Sequence, residues 1–379
     1  MILAGLVLLA VTGQASGLAR DEEVLFFPSV GWPTADGRGW ELEIRGWVFE
    51  REERAAAVSL FRHFARRKAG LERDPRADAL CAARARPFLY DNERGKSVAI
   101  RLGPKTYVLP PSAPGGLVCA TIVISRAEAE AAARESREAG VIVYRAVGRE
   151  EDAQSDAGDD DPRAGRGPGA PGISGSSGGR VHLLSPDGLS VVSDIDDTIR
   201  ITGVRDRREM IRSTFFRPFR AVPGMAEVYR RWAARDGAVF HYVSASPWQL
   251  YQPLSGFLDR AGFPGGSMHL REFRWTPGGL SRFLDAPAGD KRAVLQTLLE
   301  RVPRRRFVLV GDSGEADPEI YGELARQFRA QVVRILIRDT TGEPADAARY
   351  RRALEGLPAA QWKVFAEPAE IADALPPAP

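Results

Sequence analysis

The chain has 379 residues, 44% of them apolar, which is ample for two domains with cores of their own. Its formal net charge is only +3, so nothing in the totals demands a nucleic-acid partner. Two cysteines and four histidines are scattered without ligand spacing, which argues against a zinc site.

In chain order, residues 2–11 form an apolar run too short to span a bilayer as a helix. Small residues follow, with cleavage positions after Gly17 or Ala19. Residues 1–19 therefore read as a signal peptide, although the basic n-region is missing; a buried first strand is the alternative. Export would place the protein in the periplasm or outside the cell, and would permit a Cys81–Cys119 disulfide. Without it the chain is cytoplasmic, held at most peripherally on a membrane, and both cysteines stay reduced. No later segment reads as transmembrane.

Residues 22–148 read as a smaller, mostly β domain. Strands are expected over 40–48, 97–102 and 117–125, with helical pieces near 52–68 and 126–138. No constellation of chemical groups occurs there, so binding or packing is the default role. Residues 149–180 carry acidic clusters at 150–152 and 159–161, then a Gly/Pro/Ser stretch, and read as a linker. Pro162 and Arg163 break any calcium-loop spacing.

From 181 to 376 the rhythm becomes strand, helix, strand, helix. Strands are expected over 189–195, 238–243, 306–310 and 332–337, with a shorter one at 267–270. The expected class is α/β, a Rossmann-like parallel sheet with helices on both faces. Such sheets bind ligands beyond the carboxyl ends of their strands, which is where the polar residues of interest fall.

Asp194 and Asp196 close the first of these strands, one residue apart. Two carboxylates so placed repel unless a cation or a proton is shared between them. The chemical reading makes Asp194 a nucleophile that attacks phosphorus and Asp196 the general acid and base, with Thr198 holding the loop. An acidic turn capping the next helix is the bland alternative. Ser244 and Ser246 follow the second strand and offer hydroxyls to a phosphoryl oxygen, or serve only as turn residues. Lys291 opens a helix, where a cation opposes the macrodipole at a cost of ~0.3–1 kcal/mol. It is either the counter-charge to a phosphoryl group or a solvated side chain. Asp312 leaves a further strand end and suits Mg²⁺ as an oxygen ligand. Asp317, before Pro318, is either a helix N-cap or support for that metal.

Other readings fail on specifics. An EF-hand starting at Asp194 would need Gly in place of Ile199 and Glu in place of Arg205. No Walker sequence is present. The Gly311–Gly314 tetrapeptide is protease-like, but it lies between a strand and a helix rather than in a two-barrel β fold.

Taken together, these elements resemble the haloacid-dehalogenase (HAD) superfamily of phosphatases. DIDDT at 194–198, SASPWQLY at 244–251, Lys291 and GDSGEADPEIY at 311–321 resemble, more narrowly, the actin-patch-type phosphatidate phosphatases and their bacterial relatives. The likeness covers roughly 188–340, and it implies a HAD core and Mg²⁺-dependent removal of phosphate from a phosphatidate-like lipid. Position by position it implies Asp194 as nucleophile, Asp196 as acid/base, and Ser244 and Lys291 as phosphate contacts, with Thr198 and Ser246 beside the substrate. It implies a metal held by Asp194, Asp196, Asp312 and Asp317. The chain departs from the family in having Asp290 where a His is common before the lysine.

Between the first two motifs, residues 205–220 interleave arginines with Met210, Ile211, Phe215, Phe216 and Phe219. Such a segment either docks on an anionic membrane or packs its apolar face on the core as a small cap. Three functions compete: a phosphatidate phosphatase, a phosphatase of soluble phosphomonoesters, and a catalytically idle lipid-binding module.

Overall fold

A computed structural model describes residues 7–8, 18–19, 21–52, 54–136, 138–147, 178–273 and 291–375. Most of the expected leader, the expected linker up to residue 177, and Asp290 lie outside the described residues. The chain forms two compact units, one of Met1–Glu52 with Tyr90–Leu183, the other of Glu53–Leu89 with Leu184–Pro379. These boundaries differ from the expected ones at two places. Residues 53–89 leave the expected β domain for the second unit, and Gly178–Leu183 pairs into the first unit's sheet.

The first unit is built on a sheet of ten strands among the described residues. Its longest strand, Gly39–Glu50, pairs antiparallel with Leu117–Ser125 and with Glu22–Phe27. Leu117–Ser125 buries Val118, Ala120, Ile122 and Ile124 while the residues between them face outward, the period of two of a half-covered sheet. The helix Arg126–Glu135 starts at a capping box, Ser125 with Glu128, and buries Ala129 and Ala132 against this core. Val7 and Leu8 pair in parallel with Thr121 and Ile122.

The second unit contains a six-stranded sheet, every neighbouring pair parallel. Its spatial order is Gly266–Arg271, Val239–Pro247, Leu189–Asp194, Arg306–Asp312, Val332–Arg338, Trp362–Phe365. Numbered along the chain this is 3-2-1-4-5-6, the Rossmann-like order, which reverses between the first and fourth strands. Leu189–Asp194 is buried at every residue, as expected of a strand covered on both faces. Its two serines are satisfied internally: Ser190 pairs with His241, and Ser193 with the Tyr229 hydroxyl at 2.8 Å.

Residues 53–89 supply two helices, Ala55–Ala69 and Pro75–Ala85, to this unit. The second is capped by Asp74 with Pro75 in its first turn. Phe61 and Phe88 pack on Phe215 with ring centroids 5.1 and 5.9 Å away. Arg212 donates to the carbonyl of Ala69 at 2.8 Å. Of the apolar residues in 205–220, Ile211, Phe215 and Phe216 are buried, as in a packed cap, while Met210 and Phe219 are half-buried. Cys81 is buried in the second unit and Cys119 lies exposed on a strand of the first, with no disulfide between them. Among the described residues no helix is long and apolar enough to cross a membrane.

Candidate active site

Strand order reverses between Leu189–Asp194 and Arg306–Asp312, the place where such sheets bind ligands, and both strands end on an aspartate. Asp194 and Asp312 are buried, as is Asp317 in the first turn of the next helix. One carboxylate oxygen from each of the three lies within 4.8 Å of the others. Asp317 is not the cap of its helix; Ala316 holds that position without a side-chain bond. Instead its Oδ2 accepts from the backbone N–H of Asp312 at 3.2 Å. Gly311 makes this approach feasible, because a Cβ there would stand 2.2 Å from that same oxygen.

Lys291 is buried as well, which overturns the solvated-side-chain alternative. Its ammonium donates to Asp194 Oδ1 at 3.0 Å, Asp317 Oδ1 at 2.5 Å and Glu315 Oε2 at 3.2 Å. Burial opposes its charge, yet Asp194 and Asp317 outweigh that and hold its pKa well above the ordinary value. Burial pushes the Asp194 carboxyl well up; Lys291 pulls it back, while Asp317 and Glu315 add to the rise. Asp312 is pushed up to about 8, first by burial and then by Asp317 and Glu315. Four carboxylates thus face one ammonium, a surplus of negative charge that either protons or a cation must balance. Asp194 Oδ2 and Asp312 Oδ2 are buried without a hydrogen-bond partner. Unused oxygens on converging carboxylates are a donor set that fits a hard divalent cation.

Asp196 is placed differently. Its Oδ1 accepts from Arg200 and from Thr202 Oγ1 at 2.7 Å; its Oδ2 accepts from Ser244 Oγ at 3.0 Å and Ser246 Oγ at 2.8 Å. Burial raises its pKa, but the Arg200 charge and these hydrogen bonds win, and the net shift is downward. Asp196, implied as a fourth residue of the metal site, has its carboxylate engaged elsewhere. Both of its oxygens are saturated by other side chains, and it stands outside the group formed by Asp194, Asp312 and Asp317. Ser244 and Ser246 lie within the strand Val239–Pro247 rather than after it, and their hydroxyls converge on this carboxylate. Thr198 is buried with its hydroxyl unpartnered.

Several residues at the site were given no role from the sequence, although Asp197 and Glu315 lie within quoted motifs. Asp197 adopts φ 56°, a left-handed conformation that Asp tolerates better than most residues. Its carboxylate gathers the N–H groups of Thr202, Gly203 and Val204 at 2.7–2.8 Å, which folds the loop back and sets Arg200 over Asp196. Glu315 lies within a quoted motif, but its contact with Lys291 depends on the turn of that loop. Arg84 comes from the segment 53–89. Its guanidinium lies 3.8 Å from the centroid of the Phe219 ring, and that of Arg200 lies 4.2 Å from the same centroid. Arg84 also donates to the carbonyls of Thr214 and Arg217 at 2.7 and 2.8 Å.

Residues 189–339 match the family described as phosphatidate phosphatase APP1, catalytic domain. Over those residues the chain is similar to a catalytic domain of the APP1 type. Phosphatidate phosphatase APP1 of Saccharomyces cerevisiae is 35% identical over 173 residues, 45% of this chain and 29% of that protein. An uncharacterized protein of Schizosaccharomyces pombe is 35% identical over 167 residues, 43% of this chain and 27% of that protein. The matched stretch spans less than a third of either relative. All the buried carboxylates described above, with Lys291, Ser244 and Ser246, fall inside the APP1-type segment.

Proposed function

We propose that the second unit is a HAD-type core and that the protein is a Mg²⁺-dependent phosphatidate phosphatase, releasing phosphate from phosphatidate to leave diacylglycerol. The observation that carries this is the pairing of buried Asp194 with Lys291 at 3.0 Å, beside two further aspartates, inside the APP1-type segment.

Asp194 is the nucleophile: one carboxylate oxygen forms a bond to phosphorus as the ester oxygen leaves, giving an aspartyl-phosphate. Lys291 holds the Asp194 carboxylate in place and balances charge on the phosphoryl oxygens. Mg²⁺, held by Asp194, Asp312 and Asp317, would supply the remaining positive charge needed to bring an anionic phosphate to an anionic nucleophile. Asp196 is the acid and base. Paired with Arg200 it is ionised, the form that takes a proton from the hydrolytic water; to protonate the leaving oxygen it must exchange the Arg200 pair for a proton. Ser244 and Ser246 steady that carboxylate and stand beside the phosphoryl site.

Phosphate release from phosphatidate and from a panel of soluble phosphomonoesters, with and without Mg²⁺, tests the reading. Mg²⁺-dependent release from phosphatidate is expected, with Asp194→Asn inactive but folded. Release by Asp194→Asn at the wild-type rate would sink the mechanism. Turnover confined to soluble esters would move the protein to the second class of substrate.

A further inference from the structure

The helix Ala55–Ala69 belongs to the same compact unit as the active site. Its inward stripe is Phe61, Ala65 and Ala69, spaced by four. Its outward face is not the polar surface this pattern normally leaves. Leu60 is 57% exposed and Phe64 49%, one helical turn apart. Only one other large hydrophobic side chain among the described residues is exposed, Val123 at 39%, in the first unit.

The charge around this pair has one sign. From Arg54 to Leu71 the chain holds no acidic residue, and the helix carries Arg62, His63, Arg66, Arg67 and Lys68. Arg66 is committed to Asp78 at 2.8 Å. His63, Arg67 and Lys68 are exposed. At about 100° per residue, these three share an arc of roughly 140° with Leu60 and Phe64, its centre about 130° from that of the buried stripe. Cations in a last helical turn complement its carbonyl end, which accounts for Arg67 and Lys68 but not for an exposed leucine and phenylalanine between them.

An apolar pair ringed by long cationic side chains matches the boundary of an anionic bilayer. Leu and Phe enter the acyl edge there, while the cations reach the headgroups. We propose that this helix face seats on an anionic lipid surface and presents the phosphatase unit to a membrane-held substrate. The inference rests on the phosphatidate reading for its purpose, but its test is separate. It gives a docking role to a different segment from 205–220, where Phe215 and Phe216 are buried.

The full chain is sedimented with phosphatidylcholine vesicles, with and without phosphatidylserine, over a range of salt. Binding is expected only with phosphatidylserine, and it weakens as salt rises. Leu60→Ser with Phe64→Ser, and separately Arg67→Glu with Lys68→Glu, should each weaken binding on the order of tenfold. Both double variants should keep the wild-type melting temperature and the wild-type rate on a soluble short-chain phosphatidate. Equal binding to neutral and charged vesicles, or variants that bind like wild type, would overturn the proposal. Absence of binding while the soluble lipid is hydrolysed would also overturn it and leave the face to a protein partner. Failure to hydrolyse the soluble lipid would count against the phosphatidate reading, with the vesicle result still deciding the docking.

Discussion

The two units bury polarity in different ways. Among the described residues, the first unit buries only Ser29, Ser112 and His182 as polar side chains, and burial drives His182 down to about 4, so it is neutral near pH 7. The second buries Arg84, Asp194, Asp196, Asp197, Arg200, Lys291, Arg305, Asp312 and Asp317. Desolvating charge costs several kcal/mol per ion in real proteins unless partners repay it, so a core that collects charges needs an account of each. Arg305 shows that the account is not always chemical. It donates to the carbonyls of Ser185, Asp187 and Leu189 and to Ser190, and so ties down the start of the central strand. The carboxylates at the opposite end differ, because Asp194 and Asp312 each keep one buried oxygen without a partner. Unspent donor capacity, more than burial, separates the chemical cluster from the structural one.

The sharpest way to break this comparison is Lys291→Met. As the one ammonium facing four carboxylates, Lys291 should cost turnover on the order of 10²–10³ when removed, as for other preorganised charge partners. A lysine in a solvated first turn would contribute little to folding, but burial reverses that expectation. Its loss leaves uncompensated carboxylates and should destabilise the unit by about 3–5 kcal/mol in the absence of divalent cations. Thermal melting with EDTA and with Mg²⁺ checks both points: added Mg²⁺ should recover part of the lost stability without restoring turnover. An unchanged melting temperature in EDTA would mean that the cluster is not charged as described.

Arg84→Met probes whether 53–89 is an integral part of the second unit. Two hydrogen bonds from a charged donor, to Thr214 and Arg217, disappear together with the stacking on Phe219. A loss of about 2–3 kcal/mol in stability is expected, with a several-fold fall in kcat as Arg200 and Asp196 loosen. Stability and kcat both matching wild type would show that the segment is dispensable to the site.

The smallest effect concerns His182 in the first unit. Its folded pKa of about 4, lowered first by burial and then by Arg180, lies below an unfolded value near 6.5. The unfolded chain therefore binds the proton first. Stability from the neutral ring is complete above about pH 6.5 and is lost as pH falls toward 4, by at most about 3 kcal/mol. In His182→Gln the melting temperature of this unit should fall less steeply over that window; an identical slope would place the acid sensitivity elsewhere.

Sequence alone determined the parts of this protein that are local. Asp194 and Asp312 close strands, Lys291 opens a helix, and Ser244 lies three residues before the end of Val239–Pro247. Apolar runs and turn residues mark such positions within a few residues of the chemistry. The parallel sheet was legible for the same reason, through unbroken runs such as 306–310 and 332–337. Tertiary structure decided the rest. Nothing near Arg84 in sequence indicates that it will lie against Phe219, because that contact depends on 53–89 packing with residues more than a hundred positions away. The amphipathic spacing of Ala55–Ala69 marks a buried face but not the unit that covers it. Asp194 and Asp196 lie two residues apart, and the sequence did not tell their surroundings apart. Their side chains part because the Asp197 turn brings Arg200 to one and the strand order brings Asp312 to the other. Periodicity reports which residues turn inward; only the packed fold assigns their partners, since those interactions join segments whose separation along the chain leaves no pattern in it.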